Sequence, residues 1–169
     1  MKNMVFKTEC PGETPALQCR PMTEADKYAI GRWRYEGEYS LYNSVPYDEQ
    51  KSKGTGLANG ENNLFSFLEG GKLVGYVNLK ERGDRVNLGV AAAPDCCGMG
   101  YGTRMTIFAR KLSRELFGEK PLTLEVRSWN RRAIRCYEKA GFVPEGEPFL
   151  RTTPLGEGLF IRMRERETG

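Results

Sequence analysis

Gly98, Gly100 and Gly102 stand at alternate positions at the mouth of a helical stripe, Tyr101, Met105, Phe108, Leu112 and Leu116, spaced 4, 3, 4 and 4. Glycine lets a backbone come close to a ligand, and the first turn of a helix leaves its N–H groups without partners. A turn built this way suits a phosphate or pyrophosphate. The chain contains no histidine. A general base near neutral pH must then be a carboxylate, a thiol, a tyrosine or a relayed water. One carboxylate, Glu125, lies inside an apolar run, with Leu122, Leu124 and Val126 on one face and Thr123, Glu125 and Arg127 on the other.

Two apolar segments, each feeding a helix, must position these groups. The first runs from Arg85 to about Ala93 and ends at Pro94. The glycine turn follows, then a helix from Met99 to about Phe117 with Gly118 at its C′ position. The second, Pro121–Arg127, is separated from the first by that helix, which implies a parallel neighbour reached by a right-handed crossover. Asn130 caps a shorter helix, Arg131–Ala140, stopped by Gly141.

Upstream, Leu64–Leu68 and Leu73–Leu79 join the Arg85 strand in an antiparallel meander, because the turns between them are too short for crossovers. Ala16–Arg20 suits a first strand. Thr23 caps a helix with Ala25, Tyr28, Ala29 and Trp33 on its apolar face, ending near Gly37. Gln50–Asn63 reads as a polar, glycine-rich loop. Pro144, Pro148 and Pro154 limit the tail to short strands, Phe149–Thr152 and Leu159–Met163. The fold class is α/β with a mixed sheet: an antiparallel meander, then a parallel β-α-β crossover, with helices on both faces. Residues 1–15 form an N-terminal arm and 16–169 a single domain.

Composition narrows the function. At 169 residues, 39% hydrophobic and 28% charged, the chain fits one globular domain. No apolar run approaches the ~20 residues of a membrane span, and the N-terminus lacks a signal peptide's apolar centre, so a cytoplasmic protein without membrane contact is expected. Five cysteines, two of them adjacent, do not resemble a disulfide framework, and no metal-ligand spacing is present. The net charge of +4 is spread over scattered Lys and Arg, with no basic face or interleaved aromatics to bind nucleic acid. The segment Trp33 to Glu49 sets Trp33, Tyr35, Tyr39, Tyr42 and Tyr47 beside Glu36, Glu38, Asp48 and Glu49. It reads either as the wall of a pocket for a cationic amine or as helices packing their rings into the core.

The run Pro94-Asp-Cys-Cys97-Gly-Met-Gly100-Tyr-Gly102 resembles the acetyl-CoA pyrophosphate loop of the GNAT superfamily of N-acetyltransferases, Arg/Gln-x-x-Gly-x-Gly/Ala after a strand ending in Pro. Leu124-Glu125-Val126-Arg127-x-x-Asn130-x-x-Ala133-Ile134-x-x-Tyr137-Glu138-x-x-Gly141-Phe142 resembles the second signature of the same superfamily. The likeness is closest to the branch that acetylates protein N-termini, including a ribosomal-protein alanine. Order and separation of the two signatures match, which neither motif alone would make specific. A dinucleotide fingerprint would need G-x-G-x-x-G, and a Walker loop G-K-[ST]; the chain has neither at this turn. One departure stands out: Cys97 occupies the place of the loop's Arg or Gln. Since the backbone N–H groups hold the phosphates, cofactor binding is expected to survive in the same or weaker form, with Cys97 a site open to oxidation.

The resemblance implies an acetyl-CoA-dependent transfer to a primary amine, with acetyl-CoA as co-substrate and no metal. Cys97, Gly98, Met99, Gly100, Tyr101, Gly102 and Thr103 would hold the pyrophosphate, while Val90, Ala91 and Ala92 would offer strand-edge groups to the pantetheine. Asn130 would contact the pantetheine arm besides capping its helix. Glu125 matches the family branch's proton acceptor; burial of its face would disfavour the charged carboxylate, and the alternative is an ion pair with Arg127 or another arginine. Tyr137 matches the acid that protonates the CoA sulphur, the alternative being a core tyrosine. Cys96–Cys97 could form an acetyl-cysteine, against the plainer reading of an exposed loop thiol. The acceptor is a small amine or a peptide N-terminus. A non-catalytic acyl-CoA-binding module is the competing reading, and a homodimer is expected by analogy alone.

Overall fold

The computed structural model describes residues 6–8 and 16–167. Its strands are β1 (Phe6–Thr8), β2 (Leu17–Pro21), β3 (Leu64–Glu69), β4 (Lys72–Arg82), β5 (Arg85–Ala92), β6 (Leu122–Arg127), β7 (Phe142–Pro144), β8 (Phe149–Thr153) and β9 (Gly156–Glu165). Its helices are α1 (Glu24–Gly31), α2 (Tyr47–Lys53), α3 (Tyr101–Phe117) and α4 (Arg131–Lys139). The described strands form one sheet in the order β1-β2-β3-β4-β5-β6-β9-β7, with β8 on β9. Every pairing is antiparallel except β5 with β6, the pair that α3 separates in sequence. Of the arm expected over residues 1–15, only Phe6–Thr8 falls within the described residues, paired with β2.

Alternation along β4 sorts the two faces. A Cβ at Gly75 would meet Met105 of α3, and Val77 and Leu79 share that side with Phe67, Met105 and Leu112 in the main core. Tyr76, on the other side, packs with Ile30, Tyr47 and Leu57 of the smaller cluster under α1 and α2. Helices therefore cover both faces. Each large apolar side chain buried under α3 contributes about 2 kcal/mol. The α3 stripe ends one turn earlier than its spacing predicts: Leu116 is exposed, and Ala109 and Ser113 complete the buried face. No helix of the described residues is long and apolar enough to cross a membrane.

Four sequence-based boundaries are corrected. The first helix stops at Gly31 instead of near Gly37, and the chain then makes a 3₁₀ turn, Gly37–Tyr42. The expected loop 50–63 begins inside α2, a helix introduced by Pro46 and closed by Gly54 with φ 64°. The third helix begins at Tyr101, not Met99, because Gly100 at φ 85° cannot continue it. The tail yields β9, a strand of 10 residues lodged between β6 and β7. Its prolines did not shorten it: Pro144 ends β7, Pro148 precedes β8 and Pro154 lies in the β8–β9 turn.

Asp26 fixes α1 to the sheet. Its carboxylate takes the Thr23 N–H in a capping box, the Ser66 hydroxyl at 2.7 Å and the Arg20 guanidinium at 2.5 Å. Burial alone would raise this carboxyl, but the bonds from Arg20, Thr23 and Ser66 outweigh it and hold it below the usual carboxylate value. The stabilisation is therefore present above the unfolded value, roughly pH 4, and is lost as pH falls through the lower folded one. Asp26→Ala is expected to cost about 2–3 kcal/mol in urea unfolding at pH 7, and the gap from wild type should narrow in acid, as pH falls through the lowered folded value. An equal gap at pH 7 and in acid would refute this account.

Candidate active site

β5 and β6 lie side by side for only two residue pairs, Val86 with Leu122 and Asn87 with Thr123. Beyond them β5 stays on β4 as far as Ala92, and β6 stays on β9 as far as Arg127. The two parallel strands thus part, opening a wedge in the middle of the sheet. The Val86 N–H donates to Pro121 on the β6 side, and the Ala93 N–H to Val74 on the β4 side. Backbone groups alternate along a strand, so those of Val90 and Ala92 face the wedge while those of Ala91 turn to β4. A cavity of about 680 Å³ fills the wedge and reaches from the glycine turn to Leu64 and Lys80.

At one end of the cavity Gly98 and Gly100 have φ of 78° and 85°, and a Cβ on either would meet nothing within 4 Å. The backbone alone demands glycine, and the space in front of it is open. No side chain caps α3 at Gly100, so the first-turn N–H groups, among them those of Tyr101, Gly102 and Thr103, are available at the helix mouth. Gly102 serves packing as well: a Cβ there would lie 3.3 Å from the Cys136 sulphur of α4. Neither the exposed Met99 side chain nor that of Tyr101, which packs on the core, lines the cavity.

Cys97 is half-buried and Cys96 is 3% exposed. Burial pushes both thiols up, with the Arg132 guanidinium beside Cys97 opposing it. The expectation of an exposed, readily oxidised loop thiol is thereby corrected, since both stay protonated near neutral pH. Arg132, in the first turn of α4, puts a cation next to the position where the loop lacks one.

The predicted chemical residues meet in the same cavity. Tyr137 lines it from α4, its hydroxyl bonded to none of the described residues, and burial raises it far above an ordinary tyrosine. Asn130 caps α4 through Oδ1, which accepts from the Ala133 N–H at 3.2 Å, and its amide donates to the Tyr42 hydroxyl at 3.0 Å. Glu125 lies on the opposite sheet face from α4, with its side chain 18% exposed. Its carboxylate pairs with Arg162 of β9 at 3.1 Å and with Arg151 of β8. Glu125 thus stands in an ion pair, the alternative to a proton acceptor that its sequence position left open, with arginines of two other strands. Arg127 is not its partner: it stacks on Phe160 at 4.8 Å and donates to Thr153.

The aromatic segment divides. Trp33, Tyr35 and Tyr42 line the cavity, whereas Tyr47 is buried between α1 and α2. Its acids stand elsewhere: Asp48 accepts from Tyr28, Glu49 pairs with Lys53, and neither Glu36 nor Glu38 reaches this cavity. The Tyr35 hydroxyl donates to the Ala92 carbonyl at 2.6 Å, bridging the lip of the wedge. Sequence reasoning named Tyr35 as one possible pocket wall but missed Arg132, Asn78 and Lys80 as lining residues. For the last two a signal existed: polar residues at alternate positions of β4, an inner strand, mark a face that meets solvent or ligand.

An inner sheet edge left unpaired next to an uncapped helix mouth suits an extended ligand that carries a phosphate at one end. The family model described as "Acetyltransferase (GNAT) family" matches residues 27–142, and the chain belongs to that family. It is an N-acetyltransferase that uses acetyl-CoA. Solved structures share the fold. A spermidine N-acetyltransferase chimera from Vibrio cholerae and hSSAT superposes with TM-score 0.71 at 22% identity, over 88% of this chain and 94% of that one. An aminoglycoside acetyltransferase in complex with coenzyme A and kanamycin gives 0.67 at 23%, over 86% and 93%. The Escherichia coli ribosomal-protein-S18-alanine N-acetyltransferase gives 0.61 at 20%, over 90% and 96%. No curated protein matches the chain.

Proposed function

We propose that the chain transfers an acetyl group from acetyl-CoA to a primary amine by direct attack, the acceptor being a small amine or a peptide N-terminus. The observation that carries this is the continuity of one cavity past the loop glycines, the open edge of Val90, and both Tyr137 and Glu125. The α3 mouth and Arg132 suit a diphosphate, and the free groups of Val90 suit an amide-bearing arm laid along the strand. Ala92 contributes its carbonyl once the Tyr35 hydroxyl lets go of it. Glu125 accepts the proton that the amine sheds. As the nitrogen bonds to the acyl carbon and the carbon–sulphur bond breaks, Tyr137 gives its proton to the sulphur and is reprotonated from solvent.

Thiol release from acetyl-CoA over a panel of amines and N-terminal peptides tests the reading. Stabilisation by CoA with no turnover on any amine would instead indicate a module that only binds. Glu125→Gln is expected to lower kcat/KM about 10- to 100-fold at pH 7. The loss is modest because an α-amine, with a pKa of about 8, is already partly neutral there. It should shrink above about pH 9, where the amine is neutral before it binds and solvent hydroxide can take the proton it loses on attack. A deficit constant across pH would give Glu125 a structural role only.

A further inference from the structure

The charged side chains lining the cavity are Lys80, Glu125, Arg127 and Arg132. Arg132 stands with Cys97 at the glycine turn, where a diphosphate would sit. Lys80 does not. It lies five residues along β4 from Gly75, the partner of Ala92 beside that turn, about 17 Å at ~3.3 Å per residue. Its own partner is Asn87, which pairs with Thr123 where the wedge closes. Through that row Lys80 shares the sheet face of Glu125 and Arg127, opposite the face that α3 covers. No described carboxylate pairs with Lys80 or Arg127, and Glu125 is already shared by two arginines. The acceptor side of the cavity thus carries unbalanced positive charge.

We infer that the acceptor amine bears an anionic group, a carboxylate or a phosphate, which Lys80 receives at the closed end of the wedge while Glu125 faces the amine. This rests on the acetyl-transfer reading above and adds its substrate class. A polycation would bring further ammonium groups beside Lys80 and Arg127 with no carboxylate to meet them.

The test compares kcat/KM for L-leucine against L-leucinamide, phosphoethanolamine against ethanolamine, and spermidine and kanamycin, in wild type, Lys80→Gln and Lys80→Glu. Intrinsic differences in amine basicity cancel when each anionic-to-neutral ratio is compared between proteins. That ratio should fall about tenfold or more in Lys80→Gln, with the KM for acetyl-CoA unchanged, and Lys80→Glu should shift the preference toward spermidine. The leucine and phosphoethanolamine arms tell carboxylate from phosphate. An unmoved ratio, or wild type favouring spermidine or kanamycin over both anionic amines, overturns the inference and leaves acetyl transfer standing. Turnover of none of these amines overturns the inference, and no turnover of the N-terminal peptides either overturns both. Should Lys80→Glu fail to fold, the wild-type order and Lys80→Gln decide.

Discussion

Tyr137→Phe is expected to lower kcat about 10²- to 10³-fold while leaving the KM for acetyl-CoA within about threefold. The lower part of the general-acid range applies because a thiol of pKa about 8.5 makes a tolerable leaving group even unprotonated. The hydroxyl bonds to none of the described residues, so the variant loses no internal hydrogen bond and should melt within about 2 °C of wild type. Burial holds the phenol far above its ordinary value, so Tyr137 stays protonated throughout the working range and kcat should not fall between pH 8 and 10. Stopped-flow thiol release across that range checks both points. Full activity in the variant removes Tyr137 from the chemistry without touching the family assignment.

Gly100→Val is expected to weaken CoA binding at least about 100-fold. A β-branched residue resists φ of 85°, at a cost of about 2 kcal/mol or more, and relief of that strain swings the first N–H groups of α3 out of line. Crowding contributes nothing, since a Cβ at this site meets no atom within 4 Å. Gly146→Val is the control: its φ is 74°, with the same open surroundings, in the loop before β8 and away from the cavity. Both variants should lose similar stability, and only Gly100→Val should lose the thermal shift on adding CoA. Equal shifts in both would show that the helix mouth does not grip the diphosphate.

The parts of the fold that local chemistry dictates could be read directly. The glycine turn, the α3 stripe, the Asn130 cap and the β3–β5 meander each rest on residues within a few positions of one another. What escaped depends on distant pairing. An arginine partner for Glu125 was open only as the alternative to a base, and the arginines that fill it, Arg151 and Arg162, depend on β8 and β9, whose length the prolines concealed. The wedge itself has no local signature, because the sequence of β5 reads alike whether β6 is paired to it or not. α2 was missed because Pro46 and a run of polar residues look like loop until Tyr47 is seen filling the gap beside Ile30. Arg132 looked like one more surface cation, since only the packing of α4 against α3 brings it to Cys97.

The two halves of this sheet are joined by a seam of just two residue pairs, Val86–Leu122 and Asn87–Thr123. The main-chain amides of Val90 and Ala92 beyond it should exchange their hydrogens with solvent much sooner than those of Ala91, their neighbour turned toward β4. A ligand laid along that edge acts as an absent strand supplied from outside. Deuterium uptake at those two positions would then report occupancy directly, without any turnover being measured.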